Sequence, residues 1–171
     1  MKFSGSSTHK KVVVETFAGE RVLGYVNPRH FDRETGLELL DAAGQIRQVA
    51  WKEVKVAWFV RDWEEPLARP DRAVFLRKPR LEGLCIRLRF RDQEVLEGML
   101  VNDLLHLSAH GYLITPPDLN GSHQKAFVPR AALASMEVLS VIPNRGEHHR
   151  RRRSRKFGTP EAERQPRLFS E

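Results

Sequence analysis

Apolar and polar residues alternate along the chain in the way that is typical of half-buried β-strands. The clearest stretch is residues 86–91, where Ile86, Leu88 and Phe90 alternate with Arg87, Arg89 and Arg91. A period of two residues places one set of side chains in a core and the other in solvent. A polar turn and a second apolar stretch follow, so the pattern predicts a hairpin.

The same pattern occurs twice. At an offset of 74 residues, the segment 12–26 (VVVETFAGERVLGYV) matches the segment 86–100 (IRLRFRDQEVLEGML) in its apolar positions and its turn. Gly24 matches Gly98, in the middle of the second predicted strand of each copy. A glycine at such a place marks a bulge, a sharp bend or a close approach of two backbones.

Each copy continues in the same order. A glycine and a short apolar strand follow at residues 36–40 and 111–114, and then come a turn and residues 49–60 or 127–139, where the offset is 78. Residues 130–135, with three alanines, are also compatible with a helical turn. We interpret the repeat as a duplication.

The fold class predicted from this pattern is all-β, with two tandem small SH3-like or Sm-like β-barrel units. The boundaries are a flexible N-terminus at 1–10, a first unit at 11–62, a linker with three prolines at 63–81 and a second unit at 82–143. Residues 144–171 are polar and basic, which predicts a disordered tail. The two units either share one continuous sheet or form separate bodies.

Composition places the charge at one end of the chain. Of the 171 residues, those from Asn144 onward include nine Lys or Arg and four Asp or Glu, so +5 of the net charge of +7 lies there. There is one cysteine, no apolar segment near the length of about 20 residues that a membrane helix needs, and no apolar signal sequence at the N-terminus. We therefore expect a cytoplasmic protein.

Several segments resemble an uncharacterised bacterial family of small-barrel domains. They are Phe59 to Trp63, Gly111 to Asp118 and Phe127 to Ala131, and the resemblance covers roughly residues 11–141. Domains of that family occur alone, in pairs or beside two-component signalling domains, which implies a non-catalytic role in bacterial regulation. Residues 98–103 also resemble the first Sm motif loosely, but the hallmark asparagine is not clearly present, so uridine binding and ring assembly are not implied.

Two groups of arginines are candidate nucleic-acid contacts. The first is the predicted strand face of Arg87, Arg89 and Arg91; an ordinary solvent face is the alternative. The second lies in the tail and comprises Arg150, Arg151, Arg152, Arg153, Arg155 and Lys156. Guanidinium groups match phosphate oxygens, so such an arm can bind RNA or DNA without sequence preference. A weak tether to polyanions and a solubilising tail are the alternatives.

Aromatic residues at the end of the first unit are candidate partner-binding residues. Trp58, Phe59 and Trp63 lie within six residues of one another. Because Trp58 and Phe59 are adjacent in a strand, they point to opposite faces, and one of them could be exposed as part of a peptide groove. The alternative is that the aromatic residues close the barrel core.

Catalytic motifs are absent from the sequence. The seven histidines and Cys85 have no metal-ligand spacing, and there is neither a phosphate-binding loop nor a nucleophile elbow. Cys85 is expected to be an inert, partly exposed thiol. We therefore predict no enzymatic activity, no metal and no cofactor, and a module that recognises a protein partner; nucleic-acid binding is the alternative. The oligomeric state is left open.

Overall fold

The chain folds as an all-β protein. The computed structural model describes residues 9–61, 73–77, 79–103, 105, 107–117 and 123–143. The ten strands are β1 Lys10–Thr16, β2 Arg21–Val26, β3 Gly36–Leu40, β4 Ile46–Ala50, β5 Val54–Val60, β6 Gly83–Phe90, β7 Val95–Leu100, β8 Gly111–Thr115, β9 His123–Pro129 and β10 Leu133–Ile142. A single 3₁₀ turn, Arg130–Ala132, separates β9 from β10. The helical alternative for residues 130–135 is therefore limited to three residues.

All ten strands belong to one antiparallel sheet. Their order is β10-β6-β7-β8-β9-β5-β1-β2-β3-β4. The first five strands form one half of the sheet and the last five form the other, and the halves join where β5 pairs with β9. Of the two arrangements that the sequence left open, the continuous sheet is the one adopted.

The pairing of the strands repeats between the two halves. Val12 of β1 pairs with Gly24 of β2, and 74 residues later Ile86 of β6 pairs with Gly98 of β7. For the last two strands of each half the offset is 79, not the 78 inferred from the sequence. Phe59 is the partner of Val12, and Val138 is the partner of Ile86. The offset is 75 between Gly36 and Gly111 and 79 between their partners Ala50 and Pro129, so the connection before β9 is four residues longer than the one before β4.

A bulge is repeated as well. Lys55 of β5 has no partner residue in β1, and Ala134 of β10, 79 residues later, has none in β6. A bulge bends its strand and increases the local twist. Because the irregularity recurs at the same place, the two halves share a backbone path as well as an apolar pattern.

Gly24 and Gly98 lie where two strands approach each other closely. A Cβ atom at Gly24 would be 2.6 Å from the carbonyl oxygen of Leu40, and one at Gly98 would be 2.5 Å from Cδ1 of Ile114. Neither distance leaves room for a methyl group. Of the three roles that the sequence allowed for these glycines, close approach is the one observed.

The core has two parts that meet at β1 and β5. One part contains Val12, Val14 and Phe59 from the first half, together with Phe127 from β9 of the second half. The other contains side chains of the second half and, from the opposite faces of β1 and β5, Val13, Val56, Trp58 and Val60. Both faces of β1 and β5 are therefore covered, and all seven residues of β5 are buried.

No helix among the described residues is long and apolar enough to span a membrane.

Candidate functional site: the open edge at β10

The strand β10 is the longest strand of the sheet and lies at its edge. Its sequence, LASMEVLSVI, is rich in the aliphatic residues that favour strands and contains one charged residue, Glu137. One side of β10 pairs with β6. In the part of the chain that the structure describes, no strand lies beside its other side.

None of the ten residues of β10 is buried. The exposed fraction is 40% for Met136, 53% for Val138, 41% for Leu139 and 56% for Val141. Met136, Val138 and Val141 pair with Leu88, Ile86 and Leu84 and therefore share one face of the sheet, while Leu139 lies at a register shift of β10. On β6 this face belongs to the core, but on β10 its apolar side chains are exposed.

β5 provides an internal comparison for β10. The two strands occupy matching places, with Phe59 at the position of Val138 and Ala57 at the position of Met136. Phe59 and Ala57 are buried because β9 pairs with β5 and Phe127 covers its face. Without such a neighbour among the described residues, the same positions in β10 are open. The candidate site is therefore β10, whose counterpart in the first half, β5, is covered by β9.

The opposite edge of the sheet is β4. Its first three residues, Ile46, Arg47 and Gln48, are exposed, and Ile46 is 74% exposed. β4 pairs with β3 on one side. It is the last strand in the sheet order, so its other side also lacks a strand among the described residues.

The arginine stripe expected on β6 is largely engaged within the chain. Arg87 makes two hydrogen bonds to Oε1 of Glu97, at 3.1 and 2.8 Å, and this carboxylate raises the pKa of the guanidinium. Arg91 lies beyond the end of β6, donates to the carbonyl oxygen of Lys52 at 2.9 Å and stacks 4.3 Å from the centre of the Phe17 ring. Arg89 is exposed. The structure thus does not bring the three side chains together as one open basic surface.

The tail cluster, Arg150, Arg151, Arg152, Arg153, Arg155 and Lys156, lies outside the described residues, as does Trp63.

Trp58 and Phe59 are both buried, with 6% and 8% of their surfaces exposed, so neither ring lines an open groove. The alternative, in which these aromatic residues belong to the core, is the one observed. They point to opposite faces, as alternation predicts, and belong to different parts of the core. Both are buried because β5 is covered on both faces, which a single-strand pattern cannot reveal.

A buried lysine links the two halves. Lys55, at the bulge of β5, is 5% exposed in its side chain and forms ion pairs with Asp92 and, at 2.8 Å, with Glu94. Burial opposes the charged ammonium, but the hydrogen bonds to Asp92 and Glu94 outweigh it and raise the pKa of Lys55. Burial also acts on Asp92, yet the bond from Lys55 lowers the pKa of that carboxyl. Every charge is paired, so the cluster is structural.

Two hollows lie near this cluster. One, between the halves, has a volume of about 90 Å³ and is lined by Glu15, Trp58 and Phe90 among others. The second is an open groove of about 430 Å³ beside the β1–β2 turn, and Phe17, Arg47 and Lys52 contribute to it. The first is too small for an organic ligand, and the second has a mixed polar lining without convergent polar groups.

Reactive chemistry is not assembled in the described ranges. No three His, Cys, Asp or Glu side chains there come together as a metal site would require. Cys85 is buried, not partly exposed as the sequence suggested. Burial raises the pKa of its thiol, which favours the protonated, unreactive form.

The functional residues that sequence reasoning missed are those of β10. The sequence of residues 133–142 is rich in apolar residues and has one charge, but apolar residues occur at both odd and even positions. Register shifts at Ala134 and Leu139 change the alternation, so the sequence does not reveal that Met136, Val138 and Val141 share one face of this strand. Its open position in the sheet becomes visible only with the strand order.

Comparison with known proteins gives one result. No curated protein and no solved structure matches the chain. One family model, described as a family of unknown function, matches residues 8–140, which include all the strands of the first half and most of the second. The chain therefore belongs to the family of unknown function DUF6982.

Proposed function

We propose that this protein is a non-catalytic interaction module that binds a protein segment in extended conformation along β10. The observation that carries the proposal is the contrast between β5 and β10. Of these two strands in matching places, β5 has all of its residues buried and β10 has none buried. Main-chain groups of an edge strand provide affinity for an added strand, and the apolar side chains provide specificity.

Each half of the sheet is proposed to be one small, strongly bent barrel-like unit. The repeated register, the repeated bulge and the two close-approach glycines support this view. The pairing of β2 with β3 covers one residue pair and that of β7 with β8 covers two, so the chain turns sharply at the same place in both halves. Because the sheet stays open, an outer strand of such a unit presents N–H and C=O groups that can pair with another chain.

The chemistry of β10 favours a protein partner over a nucleic acid. Its exposed side chains are aliphatic, and its one charge, on Glu137, is negative. A phosphate backbone needs cations along its path. Among the described residues, Arg87 and Arg91 are already held by Glu97 and by Phe17 with Lys52. Of the arginines predicted to contact nucleic acid, Arg89 and those of the tail are the ones without such contacts established here.

The resemblance of the sequence to domains found beside two-component proteins supports a role in bacterial regulation. A cytoplasmic location is part of the same proposal.

Site-specific photo-crosslinking in cells tests the proposed surface. A benzophenone amino acid replaces Val138 on the open edge, and in the control chain it replaces Leu113, which is 43% exposed on the interior strand β8. We expect protein adducts at position 138 that survive nuclease treatment and are much weaker at position 113. The adducts are identified by mass spectrometry of the crosslinked peptides.

The absence of a protein adduct at position 138 above the level at position 113 would overturn the proposal. Nuclease-sensitive adducts at position 138 would favour the nucleic-acid function instead.

A further inference from the structure

The contact between β5 and β9 shows how the outer strand of one half is covered by a strand of the other half. Within the chain, β5 of the first half pairs with β9 of the second. β9 matches β4 at an offset of 79, because Ala50 pairs with Gly36 and Pro129 pairs with Gly111 in corresponding hairpins. The strands that match β5 and β9 are thus β10 and β4, and among the described residues these two strands are the open edges of the sheet.

We infer that β10 of one chain pairs with β4 of a second copy, so that the β5–β9 junction is repeated between chains. The inference rests on the proposed function and names the partner of the same surface. It commits to one occupant, a second copy of this chain, since the molecule carries both members of the pair.

The register of the internal junction shows which side chains would meet. Phe59 faces Lys125 within the chain, and an offset of 79 places Val138 of one copy opposite Ile46 of the next. These are two exposed aliphatic side chains, 53% and 74% exposed. A cross-strand pair of this type stabilises a sheet when water is excluded from it.

The next position of that register is complementary in charge. Trp58 faces Ala126 within the chain, and the same offset places Glu137 opposite Arg47. Both residues are exposed. Opposite charges on facing strands attract, and like charges there would repel. The two edges therefore match in apolar character at one position and in charge at the adjacent one.

The geometry of the contact is head-to-tail. Each chain offers β10 at one end and β4 at the other, so the interface joins two different surfaces. Such an interface closes into a ring if the rotation per chain allows it and otherwise extends as an open chain. In either case the average mass in solution exceeds that of the 19.7 kDa monomer, and it increases with protein concentration until a ring closes.

Blocking one edge at a time tests the pairing. Val138→Lys places a charge on β10, and Ile46→Lys places one on β4; both residues are exposed, so the fold tolerates the change. The full-length chains are compared by sedimentation velocity and light scattering over a range of concentrations. Leu113→Lys on β8 is the matched control, and circular dichroism verifies that each variant is folded.

We expect wild type and Leu113→Lys to self-associate, and each edge variant to remain a monomer when alone. An equimolar mixture of the two edge variants should form a species with the mass of two chains and nothing larger. The intact β10 of Ile46→Lys can pair with the intact β4 of Val138→Lys, and the two altered strands remain unpaired. A monomeric wild type, or a mixture that stays monomeric, overturns the inference. A monomeric chain that still forms protein adducts at position 138 retains the proposed function with another partner.

Discussion

At the residue scale, two glycines and one lysine explain how the halves of the sheet close and join. Gly24 and Gly98 permit the close crossing of neighbouring strands, and Lys55 is a buried charge held by carboxylates of the other half. The atoms around these residues differ. Substituting each of them should therefore lower the free energy of unfolding by a different amount.

Gly24→Ala should destabilise the protein more than Gly98→Ala. The added methyl group at position 24 meets the backbone carbonyl of Leu40 as well as a side chain, whereas the atoms nearest to position 98 all belong to the Ile114 side chain. A side chain can rotate away, but a backbone oxygen in a sheet cannot. We expect a loss of about 3 kcal/mol for Gly24→Ala and about 1–2 kcal/mol for Gly98→Ala in urea unfolding. Equal costs would contradict this account of the crossing.

Removing the carboxylates around Lys55 should cost more than removing the lysine. In the double variant Asp92→Asn, Glu94→Gln the buried ammonium loses its ionic partners, and we expect a loss of about 2–3 kcal/mol, less than for a fully buried pair because both carboxylates are more than one-third exposed. Lys55→Met keeps the packing and should cost under about 1 kcal/mol. Urea unfolding at neutral pH measures both. The reverse order would show that the lysine has another role.

The pH dependence of the same cluster has a definite sign. The pKa of Asp92 is lowered from 3.8, so its contribution is present above that pH and is lost as the pH falls through the lower folded value. The pKa of Lys55 is raised from 10.5, so its contribution is present below that pH and is lost as the pH rises further. The stability difference between wild type and the double variant should be largest near neutral pH. It should shrink in acid as Asp92 is protonated, and in alkali, where the unpaired Lys55 of the variant loses its proton at a lower pH than the paired lysine of wild type.

At the scale of elements, β5 and β10 have the same place but different surroundings. Phe59→Ala should cost about 3–5 kcal/mol, because it opens a cavity beside Phe31 and Phe127. Val138→Ala, at the matching position of β10, should cost under about 1 kcal/mol, because that side chain is 53% exposed. Thermal unfolding of dilute chains compares the two. A large loss at position 138 in dilute solution would mean that β10 is covered within the chain itself.

Most of the strand pattern could be predicted from the sequence, because each strand and turn is encoded locally. The offset of 74 that aligns Val12 with Ile86 is the offset of the observed pairing, and the matched glycines lie at matched crossings. The sequence left open whether Trp58 and Phe59 are both buried, since their burial depends on the contact of β5 with the other half. The open edge at β10 likewise depends on strand order, which alternation does not specify.

At the scale of the whole molecule, the two halves share one sheet and contribute to each other's core. Side chains of β5 complete the core of the second half, and Phe127 of the second half lies in the core of the first, 4.9 Å from the ring of Phe31. The loop before β8 adds a hydrogen bond of 2.7 Å from Ser108 to Asp32 and a stacked contact between Trp51 and His110. Neither half has a complete core alone.

Phe127→Ala should therefore lower the stability of both halves together. Tryptophan fluorescence reports on Trp51 and Trp58, which lie at the contact between the halves, and far-ultraviolet circular dichroism reports on all strands. We expect a single transition with the same midpoint by both probes, shifted by about 3–5 kcal/mol relative to wild type. Separate transitions for the two probes would indicate that the halves unfold independently.

The central claim is that the two open edges of the sheet are the binding surface of the molecule. Hydrogen–deuterium exchange of the wild-type chain, measured at low and at high concentration, tests it most directly, with Val138→Lys as the reference. We predict that concentration slows amide exchange in residues 46–50 and 133–142 of wild type alone, and leaves the interior strands unchanged. Exchange that is independent of concentration at both edges, or protection that appears elsewhere in the sheet, would contradict the account.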